Sequence, residues 1–158
     1  MSARDGRPDA GSARESTKQG LESLRFVVTG LGVAGYSAAT ALLARGAAVT
    51  VIDSAAQPVH VDRVGVLEML GAQVRLGAGQ VCPAGDVLVV STGIPLVHPW
   101  ITSAQAQGMQ VWGEFELAWR LRPAEHAAPW LYVTGTNGKT TTTLMLESIL
   151  RADGLRAK

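Results

Sequence analysis

A glycine-rich segment between two apolar runs constrains the fold of this 158-residue chain more than any other feature. The run 24–29 predicts a buried strand, residues 30–35 match G-x-G-x-x-G, and residues 36–45 predict a helix. A second strand, predicted over 47–52, closes on Asp53. This βαβ unit indicates a nucleotide-binding turn. The alternative is that the glycines serve only a tight turn and close packing of helix on strand.

The pattern of alternating strands and helices continues beyond this unit. Residues 91–95 form a hydroxyl-rich turn after a strand, at the carboxyl edge where α/β folds bind ligands. We predict an α/β fold with a Rossmann-like parallel sheet domain over 23–121, a disordered tail over 1–22 and a linker over 122–129. The further elements expected are helices at 61–70, 99–107 and 113–121 and strands at 73–76, 87–90 and 109–112.

A second glycine-rich turn lies at 134–143, with a strand predicted before it at 130–133 and a helix after it at 144–152. Backbone N–H groups and a helix N-terminus in such a turn face phosphates. Lys139 would reach the outer phosphates of ATP, and the Thr140 hydroxyl would hold Mg²⁺. We therefore predict that residues 130–158 are the opening strand, P-loop and helix of a second, truncated P-loop ATPase-type domain.

Composition excludes several classes of protein. The 14 basic and 13 acidic residues leave a net charge of +1, which gives no support for binding nucleic acid or a membrane surface. The single cysteine, Cys82, excludes an internal disulfide and fits the cytoplasm. An inert Cys82 is favoured over a catalytic one. For Glu114 and Glu116, pairing with a helix dipole is favoured over catalysis.

Two nucleotide signatures in one chain favour an enzyme that binds a nucleotide-linked substrate and also consumes ATP. Residues 135–141 read G-T-N-G-K-T-T. They match, residue for residue, the short phosphate loop of the Mur ligases, the ATP-dependent amide ligases of peptidoglycan assembly. Residues 91–99 and 111–118 resemble the D-glutamate-adding branch of that family. The resemblance runs from about residue 24 to the end of the chain.

The resemblance implies which residues bind which ligand. ATP would be bound by the loop residues Gly135, Thr136, Asn137, Gly138, Lys139, Thr140 and Thr141. The UDP end of the substrate would be bound by Gly32, Val33, Ala34, Asp53, Ser54 and Gly93. Lys139 and Thr140 would act in catalysis, with Thr140 on Mg²⁺. Ala55 stands where the family often has a basic residue, and His98 is expected to cap or pack rather than to transfer protons.

The implied reaction is ATP-dependent ligation of D-glutamate to UDP-N-acetylmuramoyl-L-alanine through an acyl phosphate. The resemblance implies a cytoplasmic, monomeric enzyme, with the remaining ligands supplied by residues downstream of this chain. Alone, the chain should not catalyse ligation. The competing hypothesis is a non-catalytic Rossmann module that binds a nucleotide-sugar or NAD(P).

Overall fold

The computed structural model describes residues 20–55, 61–123 and 128–157. Contacts divide the chain into two compact units, Met1–Leu121 and Arg122–Lys158. The predicted disordered tail lies almost wholly outside the described residues, as do the central residues of the predicted linker. Just inside the first described segment, Leu21–Ser23 forms a short 3-10 helix.

The first unit alternates strands and helices as the sequence predicts. Most observed boundaries differ from the predicted ones by one to three residues, as helix and strand ends commonly do. The strands are β1 (Arg25–Thr29), β2 (Ala48–Ile52), β3 (Gln73–Arg75), β4 (Val87–Val90) and β5 (Gln110–Gly113). The helices are α1 (Val33–Leu43), α2 (Val61–Met69), α3 (Pro99–Ala106) and α4 (Glu114–Leu121).

All five strands pair in parallel in the order β3-β2-β1-β4-β5. The predicted Rossmann-like parallel sheet is therefore confirmed. The chain runs from β1 outward to β3 and then returns to place β4 on the other side of β1. The order reverses between β1 and β4, and open α/β sheets bind ligands at the carboxyl edge of such a switch point.

Two hydrophobic clusters cover the two faces of the sheet. Phe26 and Val28 of β1 belong to the cluster that includes residues of α1, α2 and α4. Val27, between them, belongs to the cluster with Trp100 and Ile101 of α3. This alternation follows from the two-residue period of a strand. Because both faces are covered, β1 and β4 read as continuous apolar runs in the sequence.

The second unit differs from the sequence prediction at two points. The strand predicted at 130–133 is wrong, because residues 128–135 have no regular secondary structure. A strand needs a ladder partner, and the described residues of this unit contain no other extended segment that pairs with it. Helix α5 (Lys139–Ala152) begins five residues earlier than predicted. Gly138, in the left-handed conformation with φ of +78°, precedes its first residue.

None of the helices in the described segments combines the length and the apolarity needed to cross a bilayer.

Candidate functional site

The glycine-rich turn joins β1 to α1 and uses its three glycines differently. Gly30 has a φ of +81°, and its N–H donates to the Ile52 carbonyl oxygen at 2.7 Å. A Cβ on Gly35 would lie 2.0 Å from the Gly30 carbonyl oxygen, so this position requires glycine. A Cβ on Gly32 would meet nothing within 4 Å. The space at Gly32 is open, as a ligand that approaches the backbone requires.

The N-terminus of α1 is not capped by a side chain. Gly32 is the N-cap, no side chain caps it, and the first turn contains no acidic residue. Val33 is 75% exposed and Ala34 is partly exposed. The first N–H groups of a helix have no acceptor within the helix and carry partial positive charge. This end of α1 can therefore accept an anion.

The Asp53 carboxylate holds the turn from the end of β2. Its Oδ2 accepts the Leu31 N–H at 2.9 Å, and its Oδ1 accepts the Ala55 N–H at 2.9 Å. Each carboxylate oxygen thus has a backbone donor within the protein. The structure gives Asp53 a positioning role that sequence reasoning missed. The adjacent Ser54 is exposed.

Thr29 and Ser91 connect β1 and β4 at the switch point. The fully buried Thr29 accepts the Ser91 N–H on its Oγ1 at 3.0 Å and donates from that oxygen to the Val89 carbonyl at 3.3 Å. Ser91 Oγ donates to the Thr29 carbonyl oxygen at 2.8 Å. Sequence reasoning did not single out Thr29, although a hydroxyl ending an apolar strand was a visible signal. These bonds fix the start of the turn that contains the exposed Gly93.

A cleft of about 480 Å³ lies beside this turn, at the carboxyl ends of β4 and β5. Glu114, the first residue of α4, accepts the Thr92 N–H on Oε1 at 3.0 Å at its rim. Glu116 instead pairs with Arg120 at 2.6 Å, one helical turn later. His98 is the N-cap of α3, and its Nδ1 accepts the Trp100 N–H at 3.2 Å. The expected capping role of His98 is confirmed.

Six predicted ligand residues lie at the carboxyl ends of three neighbouring strands. Gly32, Val33 and Ala34 follow β1, Asp53 and Ser54 follow β2, and Gly93 follows β4. The sheet therefore brings these segments to one edge. Their contact with UDP stays a prediction.

The second glycine-rich turn leads directly into α5. Lys139 Nζ donates to the Gly135 carbonyl oxygen at 2.7 Å and to that of Thr136 at 3.4 Å. The first helical bond runs from the Thr142 N–H to the Gly138 carbonyl at 2.9 Å. The N–H groups of Lys139, Thr140 and Thr141 therefore precede the first intrahelical donor.

This turn fits a triphosphate and its magnesium ion in chemical type. It offers backbone donors, an ammonium and the Thr140 hydroxyl, which is an oxygen ligand of the kind Mg²⁺ accepts. In the described part of the chain no three His, Cys, Asp or Glu side chains group as a metal site. The role of Thr140 as a magnesium ligand stays a prediction.

Comparison with known proteins agrees with this arrangement. A family model described as "Mur ligase MurD-like, N-terminal domain" matches residues 24–113. The UDP-N-acetylmuramoylalanine--D-glutamate ligase of Thermobifida fusca is 51% identical over 138 residues, which cover 87% of this chain and 29% of the relative. The enzyme of the same name from Frankia casuarinae is 50% identical over 135 residues, which cover 85% of this chain and 28% of the relative. The chain thus spans less than a third of the length of these relatives.

Solved structures are also similar in fold, and one of them illustrates the likeness. It is a pseudomurein peptide ligase type C from Methanothermus fervidus, with a TM-score of 0.52 and 23% sequence identity. The match covers 83% of this chain and 26% of the other. At this level of identity the likeness supports the fold alone.

Proposed function

Because this chain belongs to the family of Mur ligase MurD-like N-terminal domains, we propose that it forms the substrate-binding part of a D-glutamate ligase. In a protein of the relatives' length, the first unit would hold the UDP end of UDP-N-acetylmuramoyl-L-alanine. The second unit would begin the ATP site. The ligase would join D-glutamate to the L-alanine carboxylate.

The observation that carries this proposal is the turn that opens α5. Gly138 adopts a left-handed conformation, and Lys139 and Thr140 follow it at once as the first two residues of the helix. This places an ammonium, a hydroxyl and free backbone donors at one helix N-terminus. A dinucleotide-binding domain has no need of a second such turn in the same chain.

The chemistry follows from the poor reactivity of a carboxylate. An amine cannot displace oxide from it, whereas transfer of the ATP γ-phosphoryl group makes an acyl phosphate with a good leaving group. The D-glutamate amine then forms the amide bond and releases phosphate. This sequence needs positioned charge and donors rather than an enzyme nucleophile. Lys139 would stabilise the transferring phosphoryl group.

Magnesium would neutralise phosphate charge when bound, and Thr140 is the residue here that would help hold it. The backbone N–H groups of Gly138, Lys139 and Thr140 would bind the phosphates. In the first unit, the uncapped end of α1 would bind the diphosphate of the UDP group. Ser54 and Gly93 would line the adjacent uridine pocket.

The alternative is a module that binds NAD(P) without catalysis. It has less support because it gives no role to the second glycine-rich turn, at the start of α5. The contacts of Asp53 do not separate the two functions, because a carboxylate oxygen that accepts one backbone N–H at 2.9 Å can accept a further hydrogen bond from a ribose hydroxyl. Titration of the chain with UDP and with NAD, followed by amide NMR, separates the two functions. Shifts at Gly32 and Gly93 with NAD but not with UDP would contradict the ligase assignment.

The ATP site is tested by Lys139→Ala in a protein of the relatives' length that contains this chain. We expect loss of the ADP formation that depends on UDP-N-acetylmuramoyl-L-alanine and D-glutamate. Arg151→Ala is the matched control, since Arg151 lies near the other end of α5 and pairs with Glu147 at 2.6 Å. Substrate-dependent ADP formation that survives in Lys139→Ala would refute the role given to the loop.

A further inference from the structure

An arginine from α2 reaches the glycine-rich turn of the first unit. Arg63 is the third residue of α2, and its Nη1 donates to the Leu31 carbonyl oxygen at 2.7 Å. Its guanidinium carbon lies 5.3 Å from the centre of the Tyr36 ring on α1. The side chain is half-buried between these contacts. They hold the guanidinium beside the turn.

Arg63 and Asp53 hold the Leu31 backbone from both of its polar groups. The Asp53 carboxylate accepts the Leu31 N–H at 2.9 Å, while the Arg63 guanidinium donates to the Leu31 carbonyl. Both hydrogen bonds involve an ionised group and are stronger than neutral ones. Leu31 directly precedes Gly32, the N-cap of α1. The two contacts therefore orient the backbone that enters the helix.

The charges around the turn favour a role for Arg63 in binding an anion. A diphosphate at the start of α1 would approach the negative charge of Asp53, and the next two residues, Ser54 and Ala55, carry no positive charge. Arg63 supplies that charge. Within the described residues it forms no salt bridge. One of its five N–H donors bonds to Leu31.

We propose that Arg63 is a specificity-determining residue of the UDP site. It holds the turn through Leu31 and gives its remaining donors to the diphosphate of the substrate. The planar guanidinium matches phosphate oxygens in geometry and charge. Arg63 thereby favours a nucleoside diphosphate over the uncharged nucleoside. This inference rests on the proposed function, because it takes a UDP-linked molecule as the ligand of the turn.

The test uses three variants of the 158-residue chain. Arg63→Gln keeps a donor for Leu31 but removes the charge, and Arg63→Lys keeps the charge. Arg120→Gln is the matched control, since Arg120 also lies over an aromatic ring, 4.2 Å from the centre of Trp112. Amide NMR titrations measure the Kd for UDP and for uridine, and thermal melting shows that each variant is folded.

We expect Arg63→Gln to raise the Kd for UDP about tenfold to a hundredfold, the loss of a charged hydrogen bond. The Kd for uridine should be unchanged, Arg63→Lys should restore part of the UDP affinity, and Arg120→Gln should change neither Kd. An unchanged UDP affinity in Arg63→Gln, or an equal loss for UDP and uridine, would overturn the inference. If the unmodified chain bound neither compound, the proposed function would itself fail and the role of Arg63 with it.

Discussion

Gly35→Ala tests the close packing of α1 on the end of β1. The new Cβ would lie 2.0 Å from the Gly30 carbonyl oxygen and 2.7 Å from that of Thr29. Real Cβ contacts are essentially never shorter than 3.0 Å, so the backbone must move by about 1 Å. Hydrogen bonds hold both segments in place, from Gly30 N–H to Ile52 at 2.7 Å and from Ser91 Oγ to Thr29 at 2.8 Å.

The expected change in the free energy of unfolding of Gly35→Ala is the sum of three contributions. Overpacking costs roughly 1–3 kcal/mol, and loss of one hydrogen bond costs about 1 kcal/mol. The better helix propensity of alanine returns up to about 1 kcal/mol. We therefore expect the free energy of unfolding to fall by about 2 kcal/mol. The assay is urea unfolding followed by circular dichroism, with the slope m compared between variants.

Gly65→Ala is the matched control. Gly65 also lies inside a helix, α2, but a Cβ there would meet nothing within 4 Å. Propensity should then dominate and raise the free energy of unfolding by about 0.5–1 kcal/mol. If Gly35→Ala were as stable as Gly65→Ala, the argument that Gly35 is required by close approach would be refuted.

Two further predictions concern ionisable groups. The Arg25 guanidinium lies 2.9 Å from Asp86 and lowers the pKa of that carboxyl, chiefly through hydrogen bonding, so the pair stabilises the fold above the ordinary carboxyl pKa. That contribution is lost as the pH falls through the lowered pKa of the folded state. Asp86→Asn should therefore lower stability slightly at pH 7 and progressively less as the pH falls through that lowered pKa. A loss of stability that stayed equal over the whole acid range would contradict this reading. Burial raises the pKa of the Cys82 thiol to about 11, so it should react with a disulfide reagent at pH 8 only when urea unfolds the chain. Fast labelling of the native chain, measured by thiol release, would contradict the burial of the Cys82 thiol.

The first unit was predictable because its local patterns agree with its tertiary structure. Strand β4 lies at the predicted positions, because a short apolar run bounded by turn residues is typical of a buried strand. The glycine-rich turn was predictable for a related reason. A φ of +81° at residue 30 strongly favours glycine, and the close approach at residue 35 leaves no room for a Cβ. These requirements concern residues close together in the chain, so the glycines that meet them are visible in the sequence.

The second unit was predictable in its helix but not in its strand. A helix closes its hydrogen bonds within one segment, and α5 forms from Lys139 onward. The run at 130–133 has the composition of a strand, but a strand satisfies its backbone only through a neighbouring segment. The described residues of this unit provide no such neighbour. Composition alone could not show this.

The amino-acid sequence by itself determined the α/β order, the two glycine-rich turns and the family to which the chain belongs, because each depends on residues close together in the chain. The tertiary structure decided what the charged residues around the first turn do. Asp53 and Arg63 meet at Leu31 although 22 and 32 residues separate them from it. Parallel pairing brings the end of β2 beside the end of β1, and packing of α2 against α1 brings Arg63 to the same residue. Contacts between residues so distant along the chain leave no local pattern, since they arise only when the sheet and its helices assemble.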